Sequence, residues 1–209
     1  MKILEPKLSR VEEYNFEDAI KEKTFDNMLF TNNISYNIEI SDNKFDSCVF
    51  KDIDFNNIEL NNVEVIDVIF ENCDLSNKKF DNQYIQRVKF INCRMYGISF
   101  IHSNIRDVVF ENCSCKYANF ADASINNMLI ENSDLTEMSF QETNIKDLEF
   151  KEVNLTRSEI INTPLKGIDI STCKIDNIRI DSKSLKGVII DRFQSIDLIN
   201  MLGVKIKDN

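Results

Sequence analysis

Along this chain a bulky apolar residue returns at every fifth position. From Val68 to Ile130 the run does not slip: Phe70, Leu75, Phe80, Ile85, Phe90, Met95, Phe100, Ile105, Phe110, Cys115, Phe120, Ile125 and Ile130. Extended outward from Phe25 to Ile190, the register contains 34 positions, of which 32 hold Phe, Leu, Ile, Val or Met; Ser35 and Cys115 are the exceptions. Of the 15 phenylalanines, 13 lie in it, leaving Phe16 and Phe193 outside. A second period of twenty is superposed, because "VIFENCDLSNKKFDNQYIQR", "VKFINCRMYGISFIHSNIRD" and "VVFENCSCKYANFADASINN" align residue on residue. Four five-residue units therefore make one structural turn, and an internal repeat of this kind identifies a solenoid.

Period five suits neither a helix, which sends residues five apart to diverging faces, nor a strand, which alternates sides every residue. A square coil resolves this: each unit forms one short side and turns a corner, with its central residue on the axis. The residue two before the centre then also points inward and must be small or slim. It reads Cys48, Ile53, Ile58, Val63, Val68, Cys73, Val88, Cys93, Ile98, Ser103, Val108, Cys113, Ala118, Ala123 and Ser133. The corner falls two residues after each centre, where left-handed backbone angles or a self-bonding side chain are needed. Of the 33 corners from Asn27 to Gly187, 14 are Asn, 6 are Asp and 3 are Gly. One corner column, Asn32, Asp52, Asn72, Asn92, Asn112 and Asn132, is predicted to form an amide ladder.

The units Cys73-Asp74-Leu75, Ala118-Asn119-Phe120, Ser133-Asp134-Leu135, Thr143-Asn144-Ile145 and Val153-Asn154-Leu155 carry a small residue, Asp or Asn, then a large apolar residue. In this the chain resembles the pentapeptide-repeat proteins over about four fifths of its length. The resemblance implies an all-β fold, a right-handed quadrilateral β-helix (pentapeptide-repeat solenoid) with a short C-terminal α-helix. About 8.5 coils at ~4.8 Å each give a rod on the order of 40 Å long.

The expected organisation is an N-terminal cap over residues 1–22, the β-helix over 23–190, and a C-terminal helix and tail over 191–209. Met1 to Lys7 carries charge and a proline but no apolar core, so no signal peptide is expected. No 18-residue apolar run predicts a membrane span. Val11, Tyr14, Phe16 and Ile20 are expected to cover the first coil, whose open edge would otherwise pair with another chain. Lys78 and Gln83 occupy inward positions where a long polar side chain cannot remain unpaired; either the coil bulges there or Lys78 reaches out to solvent. Asp191 with Gln194 reads as a capping box, followed by a helix to Leu202 with Gly203 as its stop. A helix this short must pack on something. Phe193, Ile196, Leu198, Ile199 and Leu202 exceed what one coil end covers, so a dimer through this helix is expected, with Val204 to Ile206 adding a short strand.

Chemistry is sparse. The only histidine, His102, falls at a solvent-facing corner, so neither a nucleophile pair nor a histidine metal site can be assembled. Five cysteines (Cys48, Cys73, Cys93, Cys113, Cys173) take small inward positions and Cys115 a central one; parallel side chains one coil apart do not meet the geometry of a disulfide, which suits small apolar groups in a reducing cytosol. No catalytic residue, metal site or cofactor is expected, and the location is expected to be cytoplasmic. The formal net charge of −10 argues against direct binding of nucleic acid or an anionic membrane. That charge is segregated. The side centred on Ile40, Leu60, Phe80, Phe100, Phe120, Phe140, Ile160 and Ile180 carries Glu39, Asp42, Glu59, Asp81, Asp122, Glu142, Glu159 and Asp181 against Lys79 and Arg179, whereas the side centred on Phe25, Phe45, Val65, Ile85, Ile105, Ile125, Ile145, Leu165 and Leu185 is balanced.

Within the family, the chain looks like the Qnr and MfpA type: an almost fully repeated body followed by a short helix that in that type forms an end-to-end dimer. The resemblance implies a DNA mimic whose acidic side binds the DNA-gripping surface of type II topoisomerases, DNA gyrase and topoisomerase IV, and protects them from quinolones. The match in charge is partial, since duplex DNA would carry about 24 charges over ~40 Å. The register leaves no room for the loop insertions some of those proteins carry. The alternative expectation is a pentapeptide-repeat scaffold for a different protein partner.

Overall fold

In the computed structural model, which describes residues 2–201, each strand from Met28 onward lies parallel to a segment twenty residues away. Strands Ile58–Glu71, Tyr84–Ile91, Asn104–Glu111 and Ser124–Glu131 stack in sequence, with Val65 beside Ile85, Ile85 beside Ile105 and Ile105 beside Ile125. The coils form a right-handed four-sided β-helix. Because identical positions sit one coil apart, phenylalanine stacks on phenylalanine: Phe50, Phe70, Phe90 and Phe110 follow one another at ring separations of 5.1, 5.2 and 4.9 Å, nearly parallel. Phe80, Phe100 and Phe120 make a second column, and its rings meet the first edge to face. All fifteen of the small inward residues named above are buried. Full burial of a large axial side chain such as Phe70 stabilises the fold by roughly 1.5–3 kcal/mol.

The corners behave as their composition requires: 27 of the 33 have positive φ. Asparagine and aspartate tolerate this region, and elsewhere the backbone carries a cost. Tyr117, at φ 61°, is one such residue, and its ring lies 4.9 Å from that of Tyr96 on the outside of the rod. Gly97 is needed at its corner for a second reason: a Cβ there would stand 2.7 Å from Asn77 Oδ1. The amide ladder is made at two steps, from Asn72 to Asp52 at 2.9 Å and from Asn92 to Asn72 at 3.2 Å.

The register is broken in four places, each for a visible reason. Near the start, Ile34 is buried where the period calls for Ser35, which is exposed. Here the Asn33 amide donates to Asp52 O and accepts from Asp54 N, standing in for main-chain pairing that the displaced segment cannot make. Ahead of it, Glu12–Glu13 pairs with Met28–Leu29, so the sheet begins inside the segment expected to be only a cap. The cap itself is a helix, α1 (Phe16–Glu22), started by Asn15, whose side chain accepts from Asp18 N, and ended by Lys23 in the left-handed region. Phe16, Ala19 and Ile20 are buried by it, and Tyr14 packs against the same core.

The third break is the one marked by Lys78 and Gln83. The strand pairing of Ile38 through Ser41 with Ile58 through Asn61 does not continue to the next coil among the described residues; the following ladder on that side starts with Lys79 beside Ser99. A cleft of about 550 Å³ opens between the two coils. Lys78 does not reach solvent freely but donates from Nζ to Ile58 O at 2.9 Å, and burial pulls its pKa down. Gln83 stays inside and is satisfied by Asn62 Oδ1 and Asp81 O, both at 3.1 Å. The fourth break is α2 (Ser182–Leu185), which replaces one side of the last coil. Finally, residues 2–10 run outside the solenoid along its length, and α3 (Gln194–Met201) closes its far end.

Candidate docking side and terminal cap

The eight carboxylates of the acidic side share one side of the rod but not one environment. Glu39 and Glu59 are register partners and both line the cleft, with Lys78 and Lys79 opposite them. Glu39 accepts from Ser41 and Asn61, and these bonds hold its carboxyl below the usual range. Asp42 takes the amide of Asn62 at 2.6 Å. Past the cleft, Asp81 accepts from Ser99 Oγ and from Ile101 N, and Glu159 is engaged by Arg179 and by Gln141. Asp181 is the helix cap of α2, receiving Lys183 N and Ser184 N at 2.8 Å. With Asn162 N on its other oxygen, its carboxyl is held below its usual value. A row of free carboxylates is therefore broken at the cleft and thinned at both ends. Glu59, Asp122 and Glu142 are the exposed ones with least internal engagement; Asp122 has His102 Nδ1 3.9 Å away.

At the far end the capping box forms as expected. Asp191 Oδ1 accepts from Phe193 N and Gln194 N, and Gln194 Oε1 accepts from Asp191 N at 2.8 Å. Gln194 does more than the motif requires, since its Nε2 donates to Ile170 O and Cys173 O, both at 2.8 Å, and closes the last coil. Leu198 departs from its expected role in an outward interface: it is 5% exposed and belongs to the core, because α3 lies with that face on the coil end. Phe193, Ile196 and Ile199 point outward instead, with exposures of 76%, 48% and 37%. Leu202, Gly203 and the segment Val204 to Ile206 lie outside the described residues.

One cluster gave no sequence signal. At the corner column Asp67, Arg87, Asp107 and Asn127, aspartates are buried, whereas corner aspartates Asp42, Asp52 and Asp122 are exposed. Arg87 clasps Asp67 through Nε and Nη2 at 2.5 and 2.6 Å. Burial works to raise the Asp67 pKa, but the Arg87 bond, the Lys7 N–H and the guanidinium charge together bring it below its usual value. The cover over this column is the N-terminal segment, remote in sequence.

The six cysteines are free and buried. Burial pushes the thiols of Cys48 and Cys173 up to about 11. Those of Cys73, Cys93 and Cys113 donate to the carbonyls of Phe50, Phe70 and Phe90. No described helix is long and apolar enough to cross a membrane.

Two solved structures of trypsin-treated variants of QnrB1, a plasmid-mediated fluoroquinolone resistance protein, resemble this fold. One is 20% identical with a TM-score of 0.51, the other 21% identical with a TM-score of 0.54; each comparison covers 87% of this chain and 89% of the other. Comparison with curated proteins finds no match. A family profile described as the pentapeptide repeat region matches residues 63–140 and 117–180, more than half of the sequence. With the five-residue register, the four-sided coil and this match in agreement, the chain belongs to the pentapeptide-repeat family.

Proposed function

We propose that this protein binds a type II topoisomerase, DNA gyrase or topoisomerase IV, on the surface that grips DNA, and protects the enzyme from quinolones in the cytoplasm. The observation that carries the reading is the acidic side of the β-helix, in a chain whose fold matches that of a fluoroquinolone resistance protein along most of both lengths. Glu59, Asp122 and Glu142 supply the accessible charge. Complementary charge across an interface mainly sets partner choice and association rate, so a moderate number of free carboxylates suffices for recognition. The outward trio Phe193, Ile196 and Ile199 joins two copies end to end, because exposed aromatic and aliphatic groups clustered at a cap are the kind of surface that association buries. No nucleic acid, membrane, cofactor or catalytic group takes part.

The test is a supercoiling assay with purified gyrase and ciprofloxacin. The protein is expected to restore supercoiling in the presence of the drug, and Asp122→Lys with Glu142→Lys to reduce that effect at least about tenfold while keeping the fold. No effect of the wild type over a broad concentration range ends the proposal. The broken, partly self-paired acidic row favours the second reading, a scaffold for another protein, which such a negative result leaves standing.

A further inference from the structure

The N-terminal segment is seated in a built groove. Leu4 N donates to Asp107 Oδ1 at 3.2 Å, Lys7 N donates to Asp67 Oδ1 at 2.8 Å, and between them Glu5 pairs with Lys89. The spacing fits. Three residues of extended chain advance about 10 Å, and the two coils separating Asp67 from Asp107 span ~9.6 Å. An extended chain running along the rod thus meets Asp107 and Asp67 with N–H groups three residues apart, and the lysine of the intervening coil faces the residue between them. Ile3, Pro6 and Leu8 are half-buried while Leu4, Glu5 and Lys7 stay exposed, and the outward-facing Val109 beneath is only 6% exposed.

The groove is not fully used by this occupant. Asp107 is 1% exposed, and its Oδ1 takes both Leu4 N and Asn127 Nδ2, yet Oδ2 has no hydrogen-bond partner among the described residues. Arg106 Nε approaches it only to 3.6 Å. A buried carboxylate oxygen left without a donor costs free energy, and a ligand that brings one gains what the chain's own segment forgoes.

We propose that the trough over Asp67, Lys89 and Asp107 is a recognition groove for an extended peptide of a partner protein. That peptide carries a carboxylate between two main-chain donors three residues apart and a further donor for Asp107 Oδ2. Residues 3–8 occupy the groove as an intramolecular competitor. The chemistry is that of the segment already seated there, and the unmade bond is what allows a partner to displace it. The groove is separate from the acidic side and does not depend on the topoisomerase reading.

The experiment uses the full-length chain with Leu4→Pro and Glu5→Lys, which removes one donor and reverses the central charge of the resident segment. A fluorescent peptide with the sequence of residues 2–10 is titrated and followed by anisotropy. The variant is expected to bind it at least about tenfold more tightly than the wild type, and a peptide carrying Glu5→Lys to bind about tenfold more weakly than the native one. A variant that binds no better than the wild type shows the segment to be only a brace and overturns the proposal. Equal binding of the two peptides overturns it as well. Should the variant lose its β-sheet circular dichroism, Lys89→Glu in the otherwise native chain serves instead. It is expected to speed hydrogen exchange at the Leu4 and Lys7 amides at least about tenfold, and unchanged exchange again sinks the idea.

Discussion

The middle of the rod and its two ends hold themselves together differently. Between Val88 and Ile125 each unit needs only one apolar side chain on the axis and one slim one beside it, because the coil above and the coil below continue the same columns. At the ends one of those neighbours is missing, and single polar groups take over: Asn33 replaces main-chain pairing at the first coils, Asp181 caps α2, and Gln194 ties off the carbonyls of Ile170 and Cys173. Repetition makes individual rungs alike, whereas termination depends on residues that occur once.

The contrast is sharpest in the stability of single variants. Phe90→Ala removes a ring stacked between Phe70 and Phe110 and leaves a cavity that the neighbouring coils cannot close; a loss of ~3–5 kcal/mol is expected in denaturant unfolding. Gln194→Ala should cost less, about 2 kcal/mol, by orphaning two carbonyls. Its signature is position: hydrogen exchange should accelerate in the last coil and α3 while Tyr84–Ile91 keeps its protection. If exchange rises equally along the rod, the ends are not independent of the middle.

Acid probes the same division at the buried corner. The Asp67 carboxyl titrates below its ordinary value in the folded chain, so its pairing contributes stability that is present above the unfolded pKa and disappears as pH falls through the folded one. Asp67→Asn should therefore be less stable than wild type at neutral pH, with the gap narrowing below about pH 4; a gap constant with pH removes the ion pair from the account. The smallest effect is expected at Glu142, an exposed residue held at φ 53°. Glu142→Asn relaxes the corner and should stabilise the fold by up to about 1 kcal/mol, while weakening any partner that reads the acidic side.

The axis of the fold was legible because one side chain in five repeats a single physical demand, and the corners because left-handed backbone selects asparagine, aspartate and glycine. Phe193, Ile196 and Ile199 were likewise readable as a surplus. Leu198 was not separable from them, since a helix of mixed apolar residues does not say which side rests on the coil. The end helices α1 and α2 hide in short segments where a local cap competes with the repeat; the Asp181-Ser182-Lys183-Ser184 stretch held that signal. The cleft was announced by Lys78, but its opening depended on which ladder failed to continue. The burial of Asp67 and Asp107 left no trace in the pattern, because residues about sixty and one hundred positions away cover them.

The twenty-residue spacing that the ladders keep from Met28 onward has a consequence for how such a gene can change. Gain or loss of one whole turn leaves every surviving rung matched to its neighbours; a change by a single five-residue unit keeps the axis apolar but moves each outer side onto the next, and a change that is not a multiple of five swings polar residues onto the axis from that point on. A descendant of this chain that keeps both its axis and its outer sides in line therefore lengthens or shortens by whole storeys, and the reach of whatever it grips changes in steps of one coil height.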